Sequence, residues 1–254
     1  MIFETHAHFE DERYDEDREQ ELEEVRLAGV TRLVNVGSSL STSKQSIALA
    51  HKHDFIYAAV GVHPDNVATL TDADIEKLRD MCHEPEVVAL GEIGLDYYYE
   101  EPVRQIQQEW FARQLVLARE VKLPVIIHSR EAAKDTLDIM QAHRAGEIGG
   151  VVHCFSYAKE MAREYLNMDF YFGIGGVITF KNAKKLKEAV QYIPMDKILL
   201  ETDSPYLSPE PHRGERNSSL NLPFVVEAIA ELKGISSEEV VETTERNARK
   251  LFGL

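Results

Sequence analysis

Residues 124–128 read Pro124-Val125-Ile126-Ile127-His128, a short β-branched run that ends on an ionisable side chain. A run of this length and composition is typical of a buried β-strand. Seven further runs of the same kind recur along the chain, and charged segments with helical periodicity separate them. The predicted strands cover residues 2–5, 32–37, 56–61, 87–93, 124–128, 150–153, 170–174 and 197–201.

Strands that alternate with helical segments predict parallel βα units, and eight such strands are the number that closes a barrel. We therefore expect an α/β fold, a (β/α)8 TIM-type barrel. Helices are expected near residues 11–29, 41–53, 72–83, 102–118, 131–145, 158–167 and 182–191. Two further helices, near 222–233 and 237–251, are expected to complete the outer ring. No linker, low-complexity run or repeat interrupts the chain, so residues 1–254 are predicted to form a single domain.

The amino-acid composition indicates a globular protein and argues against a membrane-spanning one. Of 254 residues, 44% are hydrophobic and 28% are charged, which is typical of a globular enzyme. No apolar stretch approaches the roughly 20 residues needed to cross a bilayer, which excludes a membrane-spanning protein. The two cysteines lack CxxC spacing and the amino terminus lacks a signal-like apolar run, so we expect a reducing, cytoplasmic location. No obligate protein partner is predicted.

The net charge sets a condition on any nucleic-acid substrate. Lys and Arg number 28 against 44 Asp and Glu, a formal charge of −16. This balance is the opposite of the basic surface with which proteins grip nucleic acid nonspecifically. A polyanionic substrate would therefore need cations at the site itself.

Ionisable residues stand at or just after the ends of most predicted strands. In a βα barrel the active site forms at the carboxyl ends of the strands, so these side chains are expected to converge. They are His6 and His8 at the first strand, His63 after the third, Glu92 on the fourth, His128 on the fifth, His153 on the sixth and Asp203 after the eighth.

The pair His6-Ala7-His8 has a specific geometry. On an extended segment, residues two apart point to the same face, so both imidazoles can meet one metal ion. Four buried imidazoles beside two carboxylates would be costly without a cation to neutralise the acids, so the pattern predicts a metal site. Six candidate ligands exceed the three that a single catalytic zinc usually takes, which favours two ions bridged by Glu92.

The chain resembles the TatD-family metal-dependent deoxyribonucleases, within the wider amidohydrolase-like group, over essentially its whole length. The motifs that carry the resemblance are Glu4-Thr5-His6-Ala7-His8, Gly61-Val62-His63-Pro64, Gly91-Glu92-Ile93-Gly94-Leu95-Asp96-Tyr97, Pro124-Val125-Ile126-Ile127-His128-Ser129-Arg130, His153-Cys154-Phe155-Ser156, Glu201-Thr202-Asp203-Ser204-Pro205 and Arg213-Gly214-Glu215-Arg216-Asn217.

The resemblance implies one metal ion held by His6, His8, Glu92 and Asp203, and a second held by Glu92, His128 and His153. It also implies that Asp203 orients or deprotonates the attacking water, with Glu92 as the other catalytic residue. The implied activity is hydrolysis of DNA phosphodiester bonds, as a 3′-to-5′ exodeoxyribonuclease on single-stranded or frayed ends. The two divalent ions could be Zn, Mn, Fe or Mg, since histidine and carboxylate ligands do not distinguish them fully.

The sequence departs from the family pattern in two places. Glu4 stands where an aspartate usually precedes the first histidines, and Ser218-Ser219 replaces the usual Glu-Pro after Arg216-Asn217. Neither position is a proposed ligand.

Four other residues have two or more interpretations each. His63 either contacts a substrate phosphate or packs its loop, and Arg130 either binds phosphate or forms a salt bridge at a helix start. Asp96 either supports a ligand histidine, binds substrate or caps a loop. Glu201 lies one pleat deeper than Asp203, and it either supports a ligand, reaches a third ion or forms a salt bridge inside the barrel.

Two alternative functions remain open from the sequence. One is a dimetal hydrolase that acts on a carbon-centre ester, lactone or amide; many such relatives bridge their metals with a modified lysine on the fourth strand, where this chain has Glu92 and no lysine. The other is a metal-stabilised scaffold without catalysis.

One tyrosine of the run Tyr97-Tyr98-Tyr99 is a candidate for stacking on a base, with rim packing as the alternative.

Overall fold

The computed structural model describes all residues, Met1–Leu254, and confirms the predicted barrel. Eight parallel strands form one sheet whose spatial order follows the chain. The strands are β1 (Ile2–Ala7), β2 (Val30–Val36), β3 (Ile56–Val60), β4 (Val87–Asp96), β5 (Val125–Arg130), β6 (Gly150–Val152), β7 (Tyr171–Ile174) and β8 (Ile198–Leu200).

One α-helix follows each strand, and a ninth helix ends the chain. The helices are α1 (Arg18–Leu27), α2 (Leu40–Lys52), α3 (Asp72–Met81), α4 (Arg104–Val121), α5 (Ala133–Ala142), α6 (Lys159–Asn167), α7 (Lys184–Tyr192), α8 (Leu222–Lys233) and α9 (Ser237–Phe252). None of these helices is both long enough and apolar enough to span a lipid bilayer.

The barrel closes between its first and last strands, at the residues of interest for function. Ala7 and Ser204 form a single parallel bridge. The backbone N–H of Asp203 donates to the carbonyl of His6 at 2.9 Å, and that of His8 donates to Ser204 at 2.8 Å. Closure therefore places His6 and His8 directly beside Asp203.

Two hydrophobic clusters fill the molecule. The larger lies between the strands and the surrounding helices, and it includes Leu33, Phe111 and Ile229. The smaller takes in strand residues such as Val34 and Leu199, together with residues of the last helix.

The last helix does not complete the outer ring as expected from the sequence. Ala248 and Phe252 of α9 belong to the smaller cluster, and the Phe252 ring lies 5.9 Å from that of Phe3 at the start of β1. The side chain of Asn247 donates to the carbonyls of Met195 and Ile198, where β8 begins. The ring is therefore complete with α8, and α9 caps the amino-terminal end of the barrel, opposite the strand ends that carry His128 and Asp203.

Strand β4 runs three residues beyond its predicted end, to Asp96. Gly94 makes this possible, because its φ of +148° is a conformation that L-residues rarely adopt, and a Cβ there would lie 1.9 Å from the carbonyl oxygen of His128. The close approach lets β4 pair with β5 as far as Asp96 and Arg130.

Candidate metal centre

Six side chains predicted to meet at the strand ends do converge. His6 lies on β1 and His8 just after it, Glu92 lies on β4, His128 on β5, His153 just after β6 and Asp203 just after β8. The most exposed of these side chains, His128 and Asp203, retain only 16% of their accessible surface. Atoms from five different strand ends therefore share one nearly buried space.

The first group of donor atoms consists of His6, His8 and Asp203. The two Nε2 atoms of the histidines lie 3.2 Å apart. Asp203 Oδ1 lies 3.6 Å from His6 Nε2 and 3.3 Å from His8 Nε2. These three residues are close enough to share one cation.

The second group lies on the other side of Glu92. Glu92 Oε1 lies 2.7 Å from His128 Nδ1 and 2.5 Å from His153 Nε2, and these two nitrogens are 3.1 Å apart. The other carboxylate oxygen, Oε2, lies 3.6 Å from His6 Nε2. Glu92 therefore presents one oxygen to each group.

Outer contacts determine which ring nitrogen two of the histidines present. His8 Nδ1 lies 2.7 Å from the carbonyl of Val36, and a carbonyl only accepts, so Nδ1 carries the proton and Nε2 keeps its lone pair for the centre. His128 Nε2 lies 3.0 Å from Asp96 Oδ2, which leaves Nδ1 facing Glu92. These are the contacts that orient metal-binding histidines in other proteins.

The carboxylates of the centre are ionised in spite of their burial. Burial alone would raise the pKa of Glu92, but His153, His128 and His6 outweigh it and hold the pKa well below its ordinary value. The pKa of Asp203 is lowered in the same way, because hydrogen bonding to His8 and the nearby histidines outweigh burial. Two negative charges thus lie inside a cluster of imidazoles.

The pKa values of His6, His8 and His128 are shifted in different directions. Burial and the neighbouring His153 lower the pKa of His6 to about 4. For His128, burial would lower the pKa, but Asp96 and Glu92 raise it to about 9. The pKa of His8 is also raised, because Asp203 and Glu10 outweigh burial.

These features fit a bound divalent cation. Imidazole lone pairs that face one another at 3.1 to 3.2 Å repel unless a proton or a cation lies between them. The mixed nitrogen and oxygen donors suit Zn, Mn or Fe, and the two anionic carboxylates offset the cation charge.

Asp203 lies in the left-handed region of backbone conformation, with φ of +58°. Such a conformation is uncommon for a residue other than glycine and costs on the order of 1–3 kcal/mol. The surrounding structure holds it there, since the Asp203 carbonyl accepts the N–H of Tyr206 at 2.8 Å and its N–H donates to His6. The strain directs the carboxylate toward the two histidines of β1.

Glu201 lies beneath the centre, where it is fully buried. It accepts the N–H of Cys154 through Oε1, its Oε2 has no partner, and it forms a compact group with His6 and His153. Burial raises the pKa of Glu201 well above its ordinary value, and the charges of Asp203, Glu4 and Glu92 add to the rise. The side chain forms no salt bridge, which removes one of its three interpretations.

The centre opens into a cavity of about 520 Å³. His63 lines it, with Nε2 3.9 Å from Glu92 Oε1 and its ring 4.3 Å from that of His128. Arg130 also lines it; the guanidinium lies 3.8 Å over the ring of Tyr98 and 4.0 Å from Asp96 Oδ2. Both residues therefore lie on the wall of the cavity beside the centre.

Several residues that line this cavity were not predicted from the sequence, Glu10 and Tyr206 among them. Glu10 accepts a hydrogen bond from Asn35 at 2.7 Å and lies 3.6 Å from His8 Nδ1. Tyr206 lines the opening, and its hydroxyl donates to Asp11 at 3.1 Å. Glu10 follows His8 by two residues in the sequence, and Tyr206 follows Asp203 by three. Closeness in sequence to these predicted ligands was the signal that could have identified both residues.

The two departures from the family pattern lie against each other. The Ser219 hydroxyl donates to Glu4 Oε2 at 2.9 Å, and Thr202 donates to the same carboxylate through its N–H at 3.0 Å and its hydroxyl at 2.7 Å. The longer Glu4 side chain therefore reaches a hydroxyl that the loop supplies. Together they tie β1 to the segment that carries Asp203.

Comparison with known proteins gives a consistent result. The family model described as "TatD related DNase" matches residues 3–253. A Bacillus subtilis protein named as an uncharacterized metal-dependent hydrolase, YabD, is 44% identical over 252 residues, which cover 99% of each chain. A Cronobacter sakazakii protein named 3′-5′ ssDNA/RNA exonuclease TatD is 33% identical and covers 99% of this chain and 97% of its own.

A solved structure agrees with these relatives. The crystal structure of YjjV, a TatD homologue from Escherichia coli K12, superposes with a TM-score of 0.94 at 30% identity, covering 100% of this chain and 98% of the other. The family match spans nearly the whole chain and includes the strands whose ends build the centre. The chain belongs to the TatD family of metal-dependent hydrolases.

Proposed function

We propose that this hydrolase removes nucleotides from the 3′ ends of single-stranded or frayed DNA, by means of a water activated between two divalent cations. The observation that carries the proposal is the position of Glu92, whose two oxygens face two separate groups of donor atoms. A bridging carboxylate of this kind is a feature of two-metal phosphodiester hydrolysis. The two free cysteines agree with the reducing, cytoplasmic setting that we propose for the enzyme.

Each ligand has a stated role in the proposal. His6, His8, Glu92 and Asp203 would hold one cation, and Glu92, His128 and His153 would hold the second. When bound, such cations lower the pKa of water and offset charge on phosphoryl oxygens. Val36 and Asp96 keep the lone pairs of His8 and His128 directed at the centre.

Asp203 is the residue that takes up the proton. It lines the cavity, and its lowered pKa keeps the carboxylate ionised and able to accept a proton from the attacking water. The strained backbone of Asp203 and its contacts with the β1 histidines orient that carboxylate before substrate arrives. Glu92 is shielded by three imidazoles and serves as the bridge.

The rim of the cavity favours a nucleic acid over a small lactone or amide. Tyr98 and Tyr99 are more than half exposed, with Arg130 over the Tyr98 ring. Tyr206 is 44% exposed, and Arg13 lies 4.1 Å over its ring. Exposed aromatic faces stack on bases without regard to sequence, and arginines pair with phosphates. Arg130 is a local cation of the kind that an acidic chain needs for such a substrate, whereas the guanidinium of Arg13 is already paired with Asp11 at 3.0 Å.

A single digestion experiment tests the proposal. A 5′-labelled single-stranded oligonucleotide is incubated with metal-stripped protein, with and without Mn²⁺, beside Asp203→Asn and the control Asp138→Asn, an exposed position on α5. We expect a ladder of shortened products that retain the label, only with metal, absent for Asp203→Asn and normal for Asp138→Asn. Failure to shorten DNA by folded, metal-loaded protein would overturn the proposal and direct attention to lactones and amides.

A further inference from the structure

Four lysines lie within seven residues after strand β7, at Lys181, Lys184, Lys185 and Lys187; we call them the basic patch. The chain contains no acidic residue between Asp169 and Glu188, although its formal charge is −16. Lys181, Lys184 and Lys185 are exposed and Lys187 is half-buried. This short segment is therefore strongly positive on an acidic molecule.

The basic patch is not neutralised within the protein. None of the four lysines forms an ion pair or a side-chain hydrogen bond, and Glu188 pairs with none of them. Elsewhere on the surface, lysines such as Lys77 and Lys134 pair with an aspartate on the same helix. The charge of the basic patch is thus available to an outside partner.

Its position in helix α7 has a cost for stability. Lys184 and Lys185 are the first two residues of α7, and no side chain caps that end of the helix. The helix macrodipole places positive charge at the amino terminus, so cations there destabilise a helix by a few tenths to about 1 kcal/mol each. These charges do not stabilise the fold, so a role in binding an anion explains them better.

The basic patch lies on the same face of the barrel as the metal centre. It follows the carboxyl end of β7, and α7 begins at that face. The residues just before the basic patch, Thr179 and Phe180, pack on the loop that runs from Asp203 past Tyr206, since the Glu210 N–H donates to the Thr179 hydroxyl at 2.8 Å. In the same contact, the half-exposed guanidinium of Arg213 lies 4.3 Å over the ring of Phe180.

We infer that the basic patch binds the phosphate backbone of the single strand whose 3′ end occupies the cavity. This inference rests on the proposed function and deepens it, because it makes the enzyme favour strands long enough to reach from the metal centre to α7. Lysines contact phosphates as point charges without reading the bases, so the preference is for length and not for sequence. A membrane surface is a less suitable partner, since the segment adds no exposed large apolar side chain to its lysines.

The test compares two double variants with equal net charge. Lys184→Gln/Lys185→Gln removes two charges from the basic patch, and the control Lys122→Gln/Lys250→Gln removes two unpaired charges near the carboxyl ends of α4 and α9. Each protein is assayed with Mn²⁺ on a trinucleotide and on an oligonucleotide of about 20 nucleotides, longer than the usual site of a single-strand-binding domain. The KM for the long strand should rise about tenfold at ~0.1 M salt for the patch variant only.

The salt dependence and the short substrate give independent readouts. The slope of log affinity against log salt should fall in magnitude by about 1.4 for the patch variant, since each phosphate contact on a single strand contributes about 0.7. The kcat/KM for the trinucleotide should not change. The Tm of the patch variant should equal or exceed that of the parent, because two unfavourable helix-end charges are gone.

The outcomes separate this inference from the proposed function. Equal KM values and salt slopes in both double variants would overturn the inference while leaving the nuclease proposal intact. If neither the parent nor the two double variants cleave either substrate, the nuclease proposal fails. Fluorescence anisotropy of the long strand then tests whether the basic patch binds DNA. Weaker binding by the patch variant than by the control variant would support this inference, and equal binding would overturn it. Loss of affinity for phosphatidylserine vesicles with unchanged oligonucleotide affinity would also overturn it.

Discussion

The carboxylate of Asp96 lies 3.0 Å from Nε2 of His128, on the far side of the imidazole from Glu92. Asp96 also accepts the backbone N–H of Tyr98 at 2.9 Å, so its own orientation is determined by the chain. Its contact with the second group of donor atoms is through Nε2 of His128, the ring nitrogen that points away from Glu92. Asp96 keeps His128 in the tautomer and orientation that direct Nδ1 at the centre.

The substitution Asp96→Asn tests this role. The amide keeps the size of the side chain but removes the charge that favours a proton on Nε2 of His128. We expect metal affinity to fall by about 10- to 100-fold, which is the usual effect of removing a carboxylate that hydrogen-bonds to a ligand histidine in other metalloproteins. Competition with a chromogenic chelator measures the affinity, and excess metal should restore activity. Unchanged affinity relative to the control Asp138→Asn would show that Asp96 has no such role.

The contact between Glu4 and Ser219 predicts a coupled loss of stability. Ser219→Ala removes a donor from a fully buried carboxylate, which costs about 1–3 kcal/mol of unfolding free energy. In a double-mutant cycle with Glu4→Gln, the two effects should differ from additivity by at least about 0.5 kcal/mol. Urea unfolding measures each value, with exposed Ser41→Ala as the control. Additive effects would mean that the two residues act separately.

The cap formed by α9 predicts a large loss of stability for Phe252→Ala. The side chain is 7% exposed and belongs to the smaller cluster, so its removal should cost about 3–5 kcal/mol. Activity per folded molecule should be retained, because the metal centre lies at the opposite end of the barrel. Tyr192→Ala, at a half-exposed position, should change stability by no more than about 0.5 kcal/mol. A loss below about 1 kcal/mol for Phe252→Ala would contradict the cap.

Cys82 gives a pH-dependent prediction away from the metal centre. Burial raises the pKa of its thiol from 9.0 to about 12. The folded state therefore favours the neutral thiol: this contribution to stability is fully present below pH 9 and is lost as the pH rises toward 12. At pH 8 we expect Cys82 to react slowly with a disulfide reagent in native protein and rapidly after denaturation. Rapid reaction of Cys82 in the native state would contradict its burial. Cys82→Ala should remove one of the two labels that the denatured protein takes up, since Cys154 is also a free thiol.

Much of this site could be predicted because its residues are tied to strand ends. His6 and His8 point to one face by the period of an extended segment, and the carboxyl ends of barrel strands meet in space. Only the ends of the strands had to be found, and hydrophobic runs such as residues 124–128 mark them clearly.

Other features could not be predicted because they depend on contacts between distant parts of the chain. Glu4 and Ser219 are 215 residues apart, and nothing in the periodicity of either segment indicates that they touch. The placement of α9 has the same origin, since its pattern describes an amphipathic helix but does not say whether its apolar face covers the ring or the barrel end. The extension of β4 depends on the close approach of one glycine, Gly94, to His128.

Anomalous diffraction from crystals of Mn²⁺-loaded protein would show directly whether two cations share Glu92. We expect two anomalous peaks about 4 Å apart, one beside His6, His8 and Asp203 and the other beside His128 and His153, with Glu92 between them. Both peaks should weaken in Glu92→Gln at the same metal concentration. A single peak, or two peaks that persist in Glu92→Gln, would contradict the expectation that two cations share Glu92.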